Sequence, residues 1–289
     1  MRSFSRRPIR LALALSFLLL TGASFLGQQA PAPSAARILL LPRKLVTGER
    51  STLAVLDVNG RLTPGVNIAF SDGEKVTTDA TGRALFVAPL NAGTLSAAIE
   101  GHSGRVSSTI LTPADVPAAL VVTEAPRVAS LTDRFELLGH GFCGDADANH
   151  VTIANLPGLV LASSPASLVV LPPPDTTPGP AQVKLTCGQK SADAFTLVFV
   201  TLELQASNAS LAPGEHRPLM VRVHGSPAKI NLEAHNLSAD VAELNGGVTV
   251  HAASSGGADN VAKFELIGKK RGNFIVSIRL VAPLSPPRM

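Results

Sequence analysis

The chain has 289 residues and neither a tryptophan nor a tyrosine, a length that suits two or three domains of roughly 100 to 150 residues each. Its 25 basic side chains only slightly exceed its 21 acidic ones. No basic stripe carries interleaved aromatics, which argues against nucleic-acid binding, and the missing Trp and Tyr argue against a dedicated sugar platform or a tight protein hot spot. Frequent Gly (24) and Pro (22), set between runs of Val, Thr and Leu with no long helical period, point to an all-β protein.

Residues 1–23 read as an export signal. Arg2, Arg6, Arg7 and Arg10 precede the apolar run 11–20, and small residues follow at Thr21, Gly22 and Ala23. That run is too short to span a bilayer, so the mature chain is expected to carry no membrane span. Cleavage is expected near Ala23. Ser5-Arg6-Arg7-Pro8-Ile9 fits either an ordinary basic start or a twin-arginine signal. No Cys follows the run to take a lipid, and residues 283–289 have neither an apolar tail nor a sorting motif. Without the four signal arginines Lys+Arg falls to 21 and balances the acids. The basic isoelectric point therefore belongs largely to the signal.

Residues 24–36 form a linker rich in Pro, Ala, Ser and Gln. A first domain is expected over 37–112, with strands at 38–41, 51–58, 66–70, 75–78, 83–87, 94–100 and 105–111. Turn residues separate them, among them Asn59-Gly60, Pro64-Gly65, Asp72-Gly73 and His102-Ser103-Gly104. The segment Thr77-Thr78-Asp79-Ala80-Thr81-Gly82-Arg83-Ala84-Leu85-Phe86 resembles the bacterial Ig-like repeats of invasin-type surface proteins. The resemblance implies a polar turn, with Asp79 accepting from its backbone and Gly82 supplying a permissive dihedral, that feeds Phe86 into a core.

Pro113 and Pro117 make a semi-rigid connection to a second domain at 118–200. There Gly139-His140-Gly141-Phe142 ends one apolar run, and Pro172-Pro173-Pro174 with Gly179 precede a late one. The pattern resembles the IPT/TIG family, which implies an immunoglobulin-like sandwich. Cys143 and Cys187, both in this domain, are additions the family does not require. Paired in an exported chain they read as a disulfide worth about 2 to 4 kcal/mol, and their spacing is too long for a metal or redox pair.

Phe195, Leu197 and Phe199 put apolar side chains on one parity, and Leu202 and Leu204 on the other. One extended segment is thus expected to close the second domain and open a third after a flip of register at Val200-Thr201. The third domain, 201–282, alternates cleanly at Leu219, Val221 and Val223, at Val248 and Val250, and at Phe264 and Leu266. The run Phe274, Val276, Ile278 and Leu280 is its last and strongest. This segment too looks Ig-like, and 283–289 forms a tail.

Few constellations carry chemistry. Asp145-Ala146-Asp147-Ala148-Asn149 has the alternating oxygen spacing of a calcium loop, but His150 replaces the turn glycine and Leu156 the bidentate Glu. Asp145, Asp147 and Asn149 are left as either a loose calcium site or a solvated loop. His216, His224, His235 and His251 lack zinc spacing, and His224 and His251 lie on polar parities that point to solvent. Gly101-His102-Ser103-Gly104-Arg105 misses the final glycine of a nucleophile elbow and falls in a hairpin turn. Asn208-Ala209-Ser210 and Asn236-Leu237-Ser238 fit the glycosylation sequon but read as surface turns in a bacterial-style protein.

The expectation is therefore an exported, non-enzymatic, all-β chain of three tandem immunoglobulin-like sandwiches. It would act in the cell envelope, at the surface or outside the cell as an interaction or spacer element. Alternatives are an adhesin or receptor for an envelope or surface protein or glycan, using the 143–150 loop, with calcium in play, or an interdomain groove, and an accessory to a polysaccharide-active enzyme system.

Overall fold

The turn chemistry and alternating runs of the N-terminal region fold as eight strands: β1 (Arg37–Leu40), β2 (Lys44–Val46), β3 (Arg50–Asp57), β4 (Asn67–Phe70), β5 (Lys75–Thr77), β6 (Arg83–Val87), β7 (Gly93–Ile99) and β8 (Arg105–Leu111). They belong to a computed structural model that describes residues 37–205, 211–272 and 274–287. The export signal, the 24–36 linker and the sequon at Asn208 lie outside these residues. Two layers form, β1-β3-β6 and β2-β8-β7-β4-β5. Between them Leu53, Val55, Ile68, Leu95 and neighbours are buried, and the rings of Phe70 and Phe86 meet at 4.9 Å. Every run read from the sequence in this region is a strand, with ends within one residue. The omission is β2. It is three residues long, follows Pro42-Arg43, and pairs in parallel with β8, so no local turn announces it.

The Asp79 turn is built as its residues imply. Asp79 Oδ1 accepts from Thr81 N at 2.8 Å and from Thr81 Oγ1 at 2.6 Å. Gly82 sits at φ +76, where a Cβ would lie 2.6 Å from Thr63 N. Gly82→Ala is expected to cost about 2 kcal/mol, readable as a lowered midpoint in urea. The Thr81 hydrogen bonds hold the Asp79 carboxyl below its ordinary value of 3.8. A depressed folded value stabilises above the unfolded pKa and is lost as pH falls through the folded one. The stability gap between wild type and Asp79→Asn is therefore expected to be full at pH 6 and to close below about pH 4, checked by thermal melts across that range.

The central region contributes β9 (Val121–Pro126), β10 (Val128–Ser130), β11 (Phe135–His140), β12 (Asn149–Ile153), β13 (Leu156–Ser164), β14 (Ser167–Leu171), β15 (Gly179–Cys187), β16 (Lys190–Ser191) and β17 (Phe195–Gln205). One layer is β9-β11-β14-β13; the other is β12-β15-β17, with β10 parallel to β17 and β16 beside β15. β13 serves both. Its first residues, through Gly158, pair with β12, and from Leu159 on it pairs with β14, across a register shift between Val160 and Ala162. Leu137, Ile153, Leu168, Val183, Leu185, Phe195 and Phe199 fill the interior, where Phe135 meets Phe199 edge-on at 5.8 Å.

The C-terminal region begins within β17. It adds β18 (His216–His224), β19 (Asn231–Asn236), β20 (Ala242–Leu244), β21 (Thr249–Ala253), β22 (Val261–Gly268), β23 (Val276–Leu280) and β24 (Leu284–Ser285). Its layers are β17-β18-β22-β20 and β21-β19-β23, around Leu232, Val221, Leu244 and Phe264. β17 pairs with β15 through Phe199 and with β18 from Thr201. The expected register flip is absent. Phe195, Leu197 and Phe199 face the central interior, while Val198, Val200 and Leu202 already face the C-terminal one. A single extended strand lends one face to each core, so the change of parity needs no irregularity.

The run 274–280 also departs from expectation. Only Val276–Leu280 is a strand, and Val276, Ile278 and Leu280 are half-buried rather than sealed. The all-β, multi-sheet architecture is otherwise that of the sequence reading, and among the described residues only two short 3-10 turns, Pro113–Asp115 and Ala146–Ala148, are helical.

Candidate functional site

The 143–149 loop is the segment the sequence marks most strongly, and the structure makes it a joint. Cys143 and Cys187 are bonded, with Cα atoms 5.7 Å apart, closing 44 residues. Asn149 is buried beneath the loop. Its Oδ1 accepts from Cys143 N at 2.9 Å, and its Nδ2 lies 2.8 Å from Cys143 O, 2.9 Å from Asp145 O and 3.0 Å from Ser163 Oγ. Asp145 Oδ1 accepts from Asp147 N at 3.0 Å, capping the Ala146–Ala148 turn. The Asp147 carboxylate pairs with the buried Arg83 guanidinium of β6. All three residues proposed for calcium thus have protein partners, two of them within the loop and one across to the N-terminal region.

Loop and N-terminal region interlock through backbone. Thr52 Oγ1 in β3 donates to Gly144 O at 2.9 Å and accepts from Ala146 N at 3.1 Å. Gly144 packs so closely that a Cβ there would stand 1.8 Å from Arg50 O. Thr52 also lies opposite Ser163 of β13. Beside it Leu40, Ala54 and Leu56 bury against Leu161, Ala162 and Val169. A polar margin completes the contact: Arg43 Nε lies 3.0 Å from Glu136 Oε2, Ser167 Oγ donates to Glu136 Oε1 at 2.9 Å, and Ser164 Oγ donates to Lys44 O at 2.5 Å. Sequence reasoning missed this interface because Thr52, Arg83 and Arg43 carry no local motif; their partners are distant in sequence.

The histidines stay apart. His216 Nδ1 is 3.0 Å from Glu265, His224 Nε2 is 2.7 Å from Glu203, and His235 Nδ1 is 2.8 Å from Thr249 Oγ1. His251 lies 3.8 Å from Glu233. The His216 hydrogen bond, reinforced by Asn245, lowers the Glu265 pKa. Among the described residues no three His, Cys, Asp or Glu side chains gather as a metal site. Residues 101–105 occupy the β7–β8 turn, with Gly101 at φ +79, and not a strand-to-helix elbow.

Two grooves flank the shared strand. One, of about 520 Å³, lies where the central and C-terminal regions meet, between Arg127, Val128, Leu197, Lys229, Ile230 and Pro286. The tail forms one wall. Leu284 and Ser285 pair with Pro126 and Ala125 of β9, and Arg127 Nε donates to Ser285 Oγ at 3.2 Å. The other, also about 520 Å³, opens between β17 and β23.

No family model matches the chain, and no curated protein matches it. Solved structures resemble it at low identity. One is SGBP-B of the Bacteroides ovatus mixed-linkage glucan utilization locus, solved with a heptasaccharide. It is 11% identical over 82% of this chain and 73% of that one, with a TM-score of 0.34. Domains 1–6 of the surface layer protein SbsC are 13% identical over 88% of this chain and 40% of that one, at 0.21. Immunoglobulin domains 1–4 of Sidekick-1 are 11% identical over 85% and 76%, at 0.24. At these scores neither IPT/TIG nor invasin-type repeats are singled out.

Proposed function

We propose that this chain is an exported, non-enzymatic binding protein of the cell envelope or cell surface, built as three tandem Ig-like sandwiches at 37–112, 118–200 and 201–282. The observation that carries the reading is the construction of its two junctions. The first is closed by Thr52, Gly144 and Ala146 over a buried apolar cluster. The second has no linker, because β17 is a strand of both regions. Free-jointed beads need neither device. Fixed junctions hold surfaces from different regions in one geometry, which a receptor or adhesin requires and a passive spacer does not.

The groove beside Arg127 and Lys229 is the candidate contact, concave, largely apolar and rimmed by two cations. The partner is an envelope or surface polypeptide, because no aromatic ring is among the described residues that line this groove for a sugar to stack on. The expected result is saturable retention of the mature chain on envelope material, reduced at least about tenfold in the double variant Arg127→Glu, Lys229→Glu. Equal retention of wild type and variant would move the reading to a spacer.

The calcium reading at Asp145, Asp147 and Asn149 is tested on the same protein. The joint predicts a Tm indifferent to millimolar Ca²⁺. A rise with Ca²⁺ that disappears in Asp145→Asn would place a cation in the loop.

A further inference from the structure

The N-terminal and central regions each end on a closing hairpin. β8 covers the edge of β7, and Phe195–Phe199 of β17 covers the edge of β15. The C-terminal region does not. β23 pairs with β19 on one side, and among the described residues no strand lies on the other. The chain leaves β23 and pairs instead with β9 of the central region. Pro283, Pro286 and Pro287 give the reason, since proline has no N–H to lend to a ladder along β23.

Burial records the vacancy. The inward residues Leu95, Ala97 and Ile99 of β7 are 1%, 1% and 5% exposed, and Val183 and Leu185 of β15 are fully buried. Their counterparts Val276, Ile278 and Leu280 remain half-buried. Across the opening Leu204 of β17 is 50% exposed. Together they line the groove of about 520 Å³. Ile38 of β1 and Ser130, Thr132, Asp133 and Arg134 of the central region complete its lining, and it opens on the flank of β23 where β7 and β15 carry a closing strand.

We propose that this groove accepts an extended strand from a separate polypeptide, which pairs antiparallel with β23 and lays alternate apolar side chains between β23 and β17. The chemistry of the occupant is read from this molecule. The strands in the equivalent positions, β8 and residues 195–200, contain no proline and no acidic residue. They turn Ile110, or Phe195, Leu197 and Phe199, inward. A glycan does not fit, because the groove has no aromatic ring to stack on. Charge does not select the partner, because the rim arginines Arg134 and Arg279 already pair with Asp133 and Glu233. Recognition rests on backbone hydrogen bonds for affinity and on alternate apolar positions for register.

The proposal goes beyond the binding reading above, which concerns the other groove. Its readout lies at β23, so failure of one does not decide the other. The probe is the strand Thr-Val-Thr-Ile-Thr-Val-Thr, fused to the C-terminus through a Gly/Ser linker of about 15 residues, which sets a millimolar effective concentration. Amide hydrogen exchange at residues 276–280 is expected to slow at least about tenfold relative to the unfused chain. A fusion with Asp at the three apolar positions is expected to give no slowing. The free peptide at millimolar concentration is expected to give the same protection saturably. Leu204→Arg, at an exposed position the fold tolerates, is expected to abolish it. Absence of slowing in the first fusion, or slowing that survives Leu204→Arg, overturns the proposal. An unfused chain that sediments as a dimer, and returns to monomer in Leu204→Arg, would make a second copy the occupant and overturn a separate partner.

Discussion

Replacing both Cys143 and Cys187 by Ser is expected to lower stability by roughly 4 kcal/mol, the chain-entropy value for a closed loop of 44 residues. Cys143 opens the joint loop, so the loss does not stay in the central region. Its backbone N–H and C=O are held by the Asn149 side chain, and the next residue, Gly144, carries the carbonyl that Thr52 binds. Without the bond the loop gains freedom that Asn149, Thr52 and Arg83 have to restrain. The expected result is a lowered Tm under reducing conditions or in the double variant, with amide protection lost at 143–149 and at Thr52 together. Protection that survives at Thr52 while the central region melts early would mean that the bond stabilises β15 alone.

Much of the strand layout was open to a reading of turns and alternation, because both are local. Asp79, Thr81 and Gly82 lie within four residues of one another, and their geometry follows from side-chain chemistry. The joint is the opposite case. Thr52 and Ala146 are 94 positions apart, and Arg83 and Asp147 are 64 apart. Each alone is an ordinary polar residue, and nothing in the string Asp-Ala-Asp-Ala-Asn tells that Asn149 lies beneath the loop. β17 misleads for another reason. A change of apolar parity signals a slipped register only if a strand has one buried face, and here both faces of Val198–Val200 are buried against different cores. At β23 the pattern is truthful and the context is not. Val276, Ile278 and Leu280 alternate as core residues do, yet among the described residues no strand seals them on that flank.

Gly144→Ala is expected to part the N-terminal and central regions, because the added carbon would meet Arg50 O at 1.8 Å and Arg50 C at 2.6 Å. Neither obstacle is a side chain that can swing away; both are backbone atoms of β3, held by the pairing of Arg50 with Val87. The loop has to withdraw. Withdrawal breaks the two hydrogen bonds of Thr52 and loosens the Thr52–Ser163 contact. The cost is expected to be about 3 kcal/mol, at the upper end for an overpacked site. Each region keeps its own interior, so the change should appear in cooperativity more than in secondary structure. A single calorimetric transition is expected to split in two, with the N-terminal region melting first, while the far-ultraviolet spectrum at 25 °C stays that of the wild type. Gly104→Ala is the control, since a Cβ there meets nothing within 4 Å. If Gly144→Ala melts as one unit at the wild-type temperature, the 143–149 loop is not what fixes the two regions, and the binding reading loses its first junction.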